Sequence, residues 1–452
     1  MPDEAQYWTW SLFPDLGYYS KPPGIAWQIF LGTHLFGSSE LGVRIISLLL
    51  PIPMALIIKE IVVRLTSDLR VGYLTGLAFI LSPLGMSGSL LATTDGGMLL
   101  FGLAAVCFYL QESSPVRTGI CIALGALWKW MTFALLIPIT LYECITKRWR
   151  LSTFFGTCAI ASLGLLPPLL WNIHHGFATF QHVGGTLLNT HTSHPSANPL
   201  AFLLAGVLLV SPGFFLLSLP ALFSRGKDKA LLLRLIVLTI FGGLLLASFF
   251  RKMQGNWAVL GQVFLFPLMG CTLATMKKRW LFPAAVVISL SLQTVFLTGS
   301  YVQGRIFEKN PLRHGVGLEK IGGALAIAGY RPGHFIFSDR YQTVSEVWFY
   351  TKQKTYFFNI SNLRYNQFSF WPGMEKECVG KNGFYVALVP ASEKSTLSKR
   401  SRHIRSVLAG YFKRVGKPKI HPLRTKGRTM NYLLTISVKK YSGKTPVQKE
   451  IY

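Results

Sequence analysis

Two neighbouring carboxylates, Asp3 and Glu4, stand at the start of the chain, ahead of the basic residue Lys21 in the run YYSKPPG. Asp3, Glu4 and Tyr7 share one side of a short helix, because residues three and four apart are neighbours on a helix. A carboxylate can accept the proton of an attacking hydroxyl, and a lysine can neutralise a departing phosphate. These residue types fit an inverting group transfer, with an ordinary solvated N-terminus as the alternative.

Further polar residues occur inside or beside apolar segments. Lys129 lies between two tryptophans, and a cation there is a functional-site hypothesis unless its side chain extends to the interface. The segment RKMQGNW contributes Arg251, Lys252 and Asn256, which suit phosphate recognition. Asp95 in TTDGG is either a second acid or a helix cap. We expect these groups to converge on one membrane surface, around a lipid-linked phosphate.

Histidines and cysteines could instead indicate a metal site. The histidines in question are His174, His175, His182, His191 and His194. Since no acid or cysteine clusters near them, we favour phosphate or headgroup contacts over a metal for these residues. The six cysteines form no CxxC pattern, and the chain lacks P-loop, HExxH and GxSxG-triad signatures. Nucleotide hydrolysis and zinc proteolysis are therefore disfavoured.

The elements that must position these residues are mostly membrane helices. Half of the residues are hydrophobic and only 14% are charged, against about 25% in soluble domains. Apolar stretches cover 42–58, 71–92, 97–110, 118–145, 152–171, 198–223, 230–250, 257–276 and 280–298. The stretch 118–145 is too long for one span and is interrupted at Lys129, so we predict two short helices there and about ten spans in all. Gly24–Phe36 fits an amphipathic helix in the interface.

The charge of the loops predicts the orientation of the protein. Alternate loops are rich in Lys and Arg, as cytoplasmic loops are, whereas the loops between them are poor in Lys and Arg, with a local exception at Arg251 and Lys252. This pattern places residues 1–41 outside as a loop with interfacial helices, 42–299 in the membrane, and 300–452 outside. We therefore predict a multi-pass protein of the inner or plasma membrane whose active site is extracytoplasmic.

The region after Gly299 is polar and basic. It contains the strand-like runs HFIFS, KTYFFNI, GFYVALVP and NYLLTISV and the helical pattern YQTVSEVWFYT, which predict a small α/β domain. Its 27 Lys and Arg outnumber 8 Asp and Glu, so most of the formal net charge of +28 lies there. On an extracytoplasmic face, anionic headgroups or phosphates are nearer partners than nucleic acid, and a solvated basic surface is the plain alternative.

The order of these motifs resembles the dolichyl-phosphate-mannose protein mannosyltransferase-like glycosyltransferases of the GT-C fold, which include the lipid A aminoarabinose transferases. The motifs are DEAQYWTW, GYYSKPPGIAW, TTDGG, GALWKWMTF, WNIHHGFATF, RKMQGNW, SDRYQTVSEVWFY and YNQFSFWPG. The resemblance implies a GT-C-like polytopic helical membrane protein with a C-terminal extracytoplasmic α/β domain. It also implies inverting transfer of a sugar from a polyprenyl-phosphate carrier to lipid A, a glycan or a protein, without a cofactor, although divalent metal dependence stays open.

The resemblance assigns roles to single residues. Asp3, with Glu4 beside it, corresponds to the catalytic acid position, and Lys21 to the cation that meets the carrier phosphate. Tyr18 corresponds to an aromatic residue that lines that site. Lys129 corresponds to the lysine of a TK motif in which Trp128 replaces the threonine. The resemblance implies phosphate or acceptor contacts for Arg251, Lys252, Asn256 and His175.

One departure from the family concerns the N-terminus. Family members have a complete transmembrane helix before the DE pair, whereas only Met1 and Pro2 precede it here. We expect the true start to lie upstream; an inactive lipid-binding relative is the alternative. A lipid or lipid-linked sugar flippase is a further alternative, but it predicts internal repeats that this sequence does not show.

Overall fold

The structure is a computed structural model that describes residues 2–112, 114–188, 197–226, 230–299, 315–425 and 427–447. The chain divides into two compact units. The helical unit is Pro14–Val295, and the sheet unit combines Met1–Phe13 with Phe296–Tyr452. The opening residues therefore fold with the C-terminal region, whereas the sequence suggested a single N-terminal loop segment over 1–41.

The sheet unit contributes the first helix, α1 (Pro2–Ser11), and the helical unit follows it in the chain. Its helices are α2 (Gly24–Phe36), α3 (Glu40–Leu49), α4 (Pro51–Thr66), α5 (Leu69–Ile80), α6 (Pro83–Leu90), α7 (Thr94–Glu112), α8 (Pro115–Ala126), α9 (Leu136–Ile145), α10 (Leu151–Ser162), α11 (Leu166–His174), α12 (Ala178–Leu188), α13 (Pro199–Val210), α14 (Pro212–Leu222), α15 (Ala230–Ile236), α16 (Gly243–Ala247), α17 (Val259–Gln262), α18 (Leu265–Thr275) and α19 (Leu281–Gly299). Helix α2 has the bounds predicted for the interfacial helix.

Several of these helices suit a membrane by length and composition. In the described ranges five qualify as spans, namely Glu40–Thr66, Thr94–Gln111, Leu151–His174, Ala230–Ala247 and Leu281–Gly299. The bent pairs α5–α6 and α13–α14 raise this number to seven if each pair is one span. Shorter apolar helices cover Pro115–Ala126, Trp130–Ile145 and Val259–Thr275. The protein is a multi-pass membrane protein, and the count of about ten spans stays a prediction.

The helices of this unit are interrupted at two notable positions. Helix α8 ends at Ala126 and a 3₁₀ helix begins at Trp130, so the predicted interruption at Lys129 is confirmed. Helices α13 and α14 meet at 99°. The residue between them, Ser211, has a φ of +82° and precedes Pro212. A proline lacks the N–H that would continue the helix and disfavours helical geometry in the residue before it.

The sheet unit is built around one six-stranded sheet. Its strands are β1 (Phe335–Ser338), β2 (Thr355–Phe357), β3 (Gly383–Pro390), β4 (Phe412–Val415), β5 (Lys419–Thr425) and β6 (Arg428–Tyr441). Their order is β2-β1-β3-β6-β4, and β5 also pairs with β6. Strand β1 is parallel to β2 and β3, whereas β6 is antiparallel to β3, β4 and β5. The four strand-like runs of the sequence form β1, β2, β3 and β6.

Helices cover this sheet. The helices that follow α19 in the chain are α20 (Ile321–Ala328), α21 (Tyr341–Thr351), α22 (Met374–Glu377) and α23 (Leu397–Leu408). Helix α21 packs against α1, where the ring of Trp8 meets Phe349 edge-on at 5.0 Å. The ammonium group of Lys352 lies 4.0 Å from the Phe349 ring centroid, a cation–π contact that adds to this packing. Aromatic contacts therefore fix α1 within the sheet unit.

Candidate functional site

A cavity of about 420 Å³ in the helical unit brings together three of the predicted cations, Lys21, Lys129 and Arg251. Its other lining residues are Ser20, Pro22, Trp130, Met131, Thr179, His182, Val183, Thr186, Leu244 and Trp257. The three positive charges come from segments far apart in sequence, so the fold assembles them. Apolar and aromatic side chains form most of the remaining wall, and a negatively charged group with an apolar attachment suits such a cavity.

The loop that carries Lys21 is held by backbone and core contacts. Tyr18 and Lys21 form an isolated antiparallel bridge, and the Tyr18 carbonyl accepts a 3.0 Å hydrogen bond from the Thr179 hydroxyl. The Tyr18 ring is fully buried, and burial raises the pKa of its hydroxyl. Tyr18 thus supports the loop from the core, while Lys21 reaches the cavity. The resemblance assigned Tyr18 to the lining, where the structure does not place it.

Lys129 reaches the cavity from the break after α8. Its Nζ lies 2.6 Å from Oδ1 of Asp95 and also donates to the carbonyl of Asn256 at 3.3 Å. Both side chains of the ion pair are mostly buried, 14% exposed for Lys129 and 16% for Asp95. Asp95 lies in the first turn of α7, where a negative charge also meets the positive end of the helix dipole. This pairing could not be predicted from the sequence, because 34 residues separate the partners.

Trp128 fixes the position of Lys129. Its indole Nε1 donates to Oε1 of Gln28 at 2.9 Å, and the backbone N–H of Gly24 donates to the carbonyl of Leu127 at 2.7 Å. A Cβ atom at Gly24 would lie 2.6 Å from the Trp128 ring, and one at Gly97 would also overlap that ring. The glycines of the KPPG and TTDGG motifs therefore leave room for Trp128 between α2 and α7.

The RKMQGNW segment is held by Asn198. The Asn198 side chain accepts from the N–H of Met253 and donates to the carbonyl of the same residue, both at 2.8 Å. These two hydrogen bonds hold the segment just after α16, and Arg251 and Trp257 of the segment line the cavity. Lys252 and Asn256 are exposed and do not line it, although the Asn256 carbonyl contacts Lys129.

The histidines occupy different environments. His175 stacks on Trp171 at 4.0 Å, and its Nδ1 lies 2.8 Å from the Trp171 carbonyl, so it supports the end of α11 and does not line the cavity. His182 lines the cavity, with its ring 4.8 Å from that of Tyr19. His191 and His194 lie outside the described residues. Among the residues that the structure describes, no cluster of His, Cys, Asp and Glu could hold a metal ion.

The acid pair lies in the sheet unit, on α1. Glu4 is only 4% exposed, whereas Asp3 is exposed. The negative charge of Asp3 acts on two groups of α21: burial raises the pKa of Tyr341 and that of Glu346, and the Asp3 charge raises both further. Asp3 is therefore near the acidic and hydroxyl groups of the SDRYQTVSEVWFY motif. The contribution of this motif to the surroundings of Asp3 was not foreseen from the sequence.

Glu346 is an unusual member of this group. It is 5% exposed, and its Oε1 has no hydrogen-bond partner among the described residues. Burial raises the pKa of the carboxyl from its ordinary 4.5 to about 8. The carboxyl is therefore protonated at neutral pH, which lowers the free-energy cost of burying it inside the unit.

Comparisons with known proteins agree with the resemblance inferred from the motifs. Residues 20–171 match the family model described as dolichyl-phosphate-mannose-protein mannosyltransferase, a range that includes Lys21, Asp95 and Lys129. The lipid A galacturonosyltransferase RgtD of Rhizobium johnstonii is 29% identical over 309 residues, which cover 65% of this chain and 63% of that protein. The undecaprenyl phosphate-alpha-4-amino-4-deoxy-L-arabinose arabinosyl transferase of Erwinia tasmaniensis is 26% identical over 190 residues, 36% of this chain and 34% of the relative.

Solved structures show the same fold. ArnT from Cupriavidus metallidurans in the apo state superposes with a TM-score of 0.65 at 14% identity, covering 96% of this chain and 93% of ArnT. Its complex with undecaprenyl phosphate gives the same TM-score, with 97% and 93% covered. The chain therefore has the ArnT-like GT-C fold, with several apolar helices and a C-terminal sheet domain. Its alignments span less than two thirds of the length of the curated relatives.

The packing of Trp128 generates a first prediction. Gly97→Ala places a methyl group against the Trp128 ring, so we expect a loss of about 1–3 kcal/mol in the free energy of unfolding. The measurement is the thermal unfolding midpoint of the purified protein in detergent. Gly156→Ala in α10 is the matched control, because a Cβ atom there meets nothing within 4 Å. Equal midpoints for the two variants would contradict the proposed role of Gly97.

Glu346 generates a prediction about pH. A carboxyl whose pKa is higher in the folded state than in the unfolded state has no destabilising effect at a pH below both pKa values. As the pH rises from the pKa of the unfolded state to that of the folded state, the carboxyl destabilises the protein increasingly. Between about pH 4.5 and 8 the wild type should therefore lose stability relative to Glu346→Gln. The unfolding midpoints of both proteins at pH 5 and pH 8.5 test this. The exposed Glu393→Gln is the control, and a difference from wild type that does not change with pH would refute the prediction.

Proposed function

We propose that this protein is an inverting glycosyltransferase that moves a sugar from a polyprenyl-phosphate donor to a lipid A-like acceptor. The observation that carries this proposal is the cavity lined by Lys21, Lys129 and Arg251. The positive charges of these side chains complement the negative charge of a phosphate, and the chain that carries them has the ArnT-like fold. The relatives named as lipid A galacturonosyltransferase and arabinosyl transferase support this substrate class.

The cavity has separate groups for the two parts of the donor, its phosphate and its polyprenyl chain. Arg251 offers a planar guanidinium for two phosphate oxygens, and Lys21 adds a compact positive charge. Lys129 is already neutralised by Asp95, so it orients the phosphate without adding a full unpaired charge. The side chains of Trp130 and Trp257 offer an apolar surface to the polyprenyl chain. A charged head and a long apolar tail are thereby recognised by one cavity.

The proposed reaction is a single displacement. The oxygen of an acceptor hydroxyl forms a bond to the anomeric carbon, and the bond from that carbon to the phosphate oxygen breaks, with its electron pair remaining on the polyprenyl phosphate. Asp3 accepts the hydroxyl proton as general base. Lys21 and Arg251 stabilise the charge that develops on the leaving phosphate. If the acceptor is itself an ionised phosphate, no base is needed and Asp3 orients it.

The finer assignments belong to the same proposal. We propose an inner-membrane protein whose active site and sheet unit are extracytoplasmic, since the short loops on the opposite side are rich in Lys and Arg. Glycan or protein acceptors stay open beside lipid A. The reaction as written needs no cofactor, because the donor's sugar–phosphate bond supplies the free energy.

Donor recognition is tested by removing the cations. Lys21→Ala and Arg251→Ala should each weaken binding of undecaprenyl phosphate about tenfold to a hundredfold, since a hydrogen bond to a charged group contributes about 1.5–3 kcal/mol. Binding is measured by titration of the purified protein in detergent. Lys147→Ala removes an exposed cation of the helical unit outside the cavity and is the matched control. Unaltered affinity in both cavity variants would overturn the phosphate assignment.

The role of Asp3 as general base and the class of acceptor are tested in cells. Deleting the gene should remove one sugar mass from a fraction of lipid A, read by mass spectrometry, and the natural gene should restore it. Asp3→Asn should lower transfer about a hundredfold or more, because general-base catalysis contributes about 10²–10⁴. Glu393→Gln, an exposed acid of the same unit, should restore transfer fully. Full transfer by Asp3→Asn would disprove the base role, and unchanged lipid A on deletion would disprove the acceptor class.

A further inference from the structure

The last part of the chain has an extreme charge bias. Between residues 394 and 449 there are sixteen Lys and Arg and not one Asp or Glu. This stretch contains α23, β4, β5 and β6. An ordinary solvated surface carries both signs interspersed, because like charges repel and destabilise the compact state. A stretch of this length without acidic residues therefore suggests an anionic partner.

Part of this stretch forms a groove between α23 and β4. The groove has a volume of about 460 Å³. We define it as the basic groove, with Arg402, Arg405, Ser406 and Lys413 as its polar lining and Ala409, Phe412 and Val415 as its apolar lining. No acidic side chain is among these described lining residues. Leu397, Ile404 and Leu408 anchor the opposite face of α23 in the core, so the helix presents its basic face outward.

Strands β4 and β6 add positive charge for which the described residues show no ion pair. Arg414 on β4 lies directly opposite Lys439 on β6 in the antiparallel register. Like charges at directly opposed positions destabilise a strand pair. Both side chains are exposed. These two residues do not line the groove, but an anion bound beside them would relieve this repulsion, so the observation is independent of the groove itself.

We propose that the basic groove binds the phosphate headgroups of anionic membrane lipids. The two guanidinium groups can each hold two phosphate oxygens, Lys413 adds a third charge, and the Ser406 hydroxyl can donate to the same group. The apolar lining suits the glycerol part of the headgroup. The candidate span Leu281–Gly299 leads directly into this unit, so the unit is tethered to a bilayer in which such headgroups are abundant.

The groove fits a lipid headgroup better than a nucleic acid. Proteins that bind single strands use exposed aromatic rings on which bases stack. In the described lining of the groove the aromatic residue is Phe412, which is 5% exposed and packs on Tyr441. A headgroup needs only the cations and a small apolar surface, and both are present.

The test compares two triple variants of the whole protein in detergent. The groove variant is Arg402→Ala, Arg405→Ala and Lys413→Ala. The matched control, Arg331→Ala, Lys376→Ala and Lys381→Ala, removes the same charge from exposed positions of the same unit outside the groove. Native mass spectrometry measures binding of phosphatidylglycerol and of phosphatidylcholine at low salt, and unfolding midpoints establish that each variant is folded.

We expect the wild type and the control to prefer phosphatidylglycerol and the groove variant to lose that preference. Each basic residue near an anionic surface strengthens binding about fivefold, so the affinity for phosphatidylglycerol should fall roughly a hundredfold. Phosphatidylcholine binding should stay equal in all three proteins. If the groove variant does not fold, the single changes Arg405→Gln and Lys413→Gln should each weaken binding about fivefold.

Three results would overturn the proposal. Equal loss in the control variant would show a general charge effect without a site. Full displacement of phosphatidylglycerol by an equal concentration of inorganic phosphate would show a site for the free ion. Unchanged phosphatidylglycerol binding, with loss of binding to a labelled oligonucleotide in the groove variant, would show a nucleic-acid surface.

Discussion

The site in the helical unit depends on the placement of one indole ring. Trp128 occupies space that two glycines, Gly24 and Gly97, leave open, and its N–H is satisfied by Gln28. Since the next residue is Lys129, the contacts of the ring hold the lysine in place where it follows the end of α8. The same contacts hold the start of α2, just after the loop that carries Lys21, against the start of α7. A buried Trp needs a partner for its N–H and a close-packed surface for its ring, and both needs are met here by the motifs that surround the cavity.

The apolar surroundings of this site explain why one of its cations is paired with a carboxylate. A lysine inside an apolar segment is unfavourable unless it is paired, and Asp95 at 2.6 Å supplies the partner of Lys129. A buried pair of this kind is weak grounds for stability, because the desolvation of both ions offsets their attraction. Its value lies in geometry, since it fixes an ammonium group at the wall of the cavity. Lys21 and Arg251 then give the cavity a positive field that an incoming phosphate can satisfy.

The sequence predicted the elements better than the contacts between them. The strand runs and the break at Lys129 could be foreseen because they follow from local pattern and from the unfavourable burial of a charge. The 99° bend at Ser211 was missed, although Pro212 is visible in the sequence, because an apolar run of that length also fits one straight span. The Asp95–Lys129 pair and the grouping of α1 with α21 were missed because they depend on tertiary packing. Strands β4 and β5 were missed because their Lys and Arg content hides the alternation that marks a strand.

The two groups of cations in this chain face different physical conditions. Lys21, Lys129 and Arg251 line a mostly apolar cavity and are partly buried, so salt screens their charges less, and we propose that the phosphate of a donor is held there at close range. The cations of α23 and β4 are exposed, where each contact contributes little alone and is screened within about 8 Å at physiological ionic strength. Attraction at such a surface comes from the sum of many charges and needs a partner that is itself a surface. High salt should therefore release a headgroup from the groove while leaving the cavity occupied, because the partly buried cations of the cavity are screened less than exposed ones.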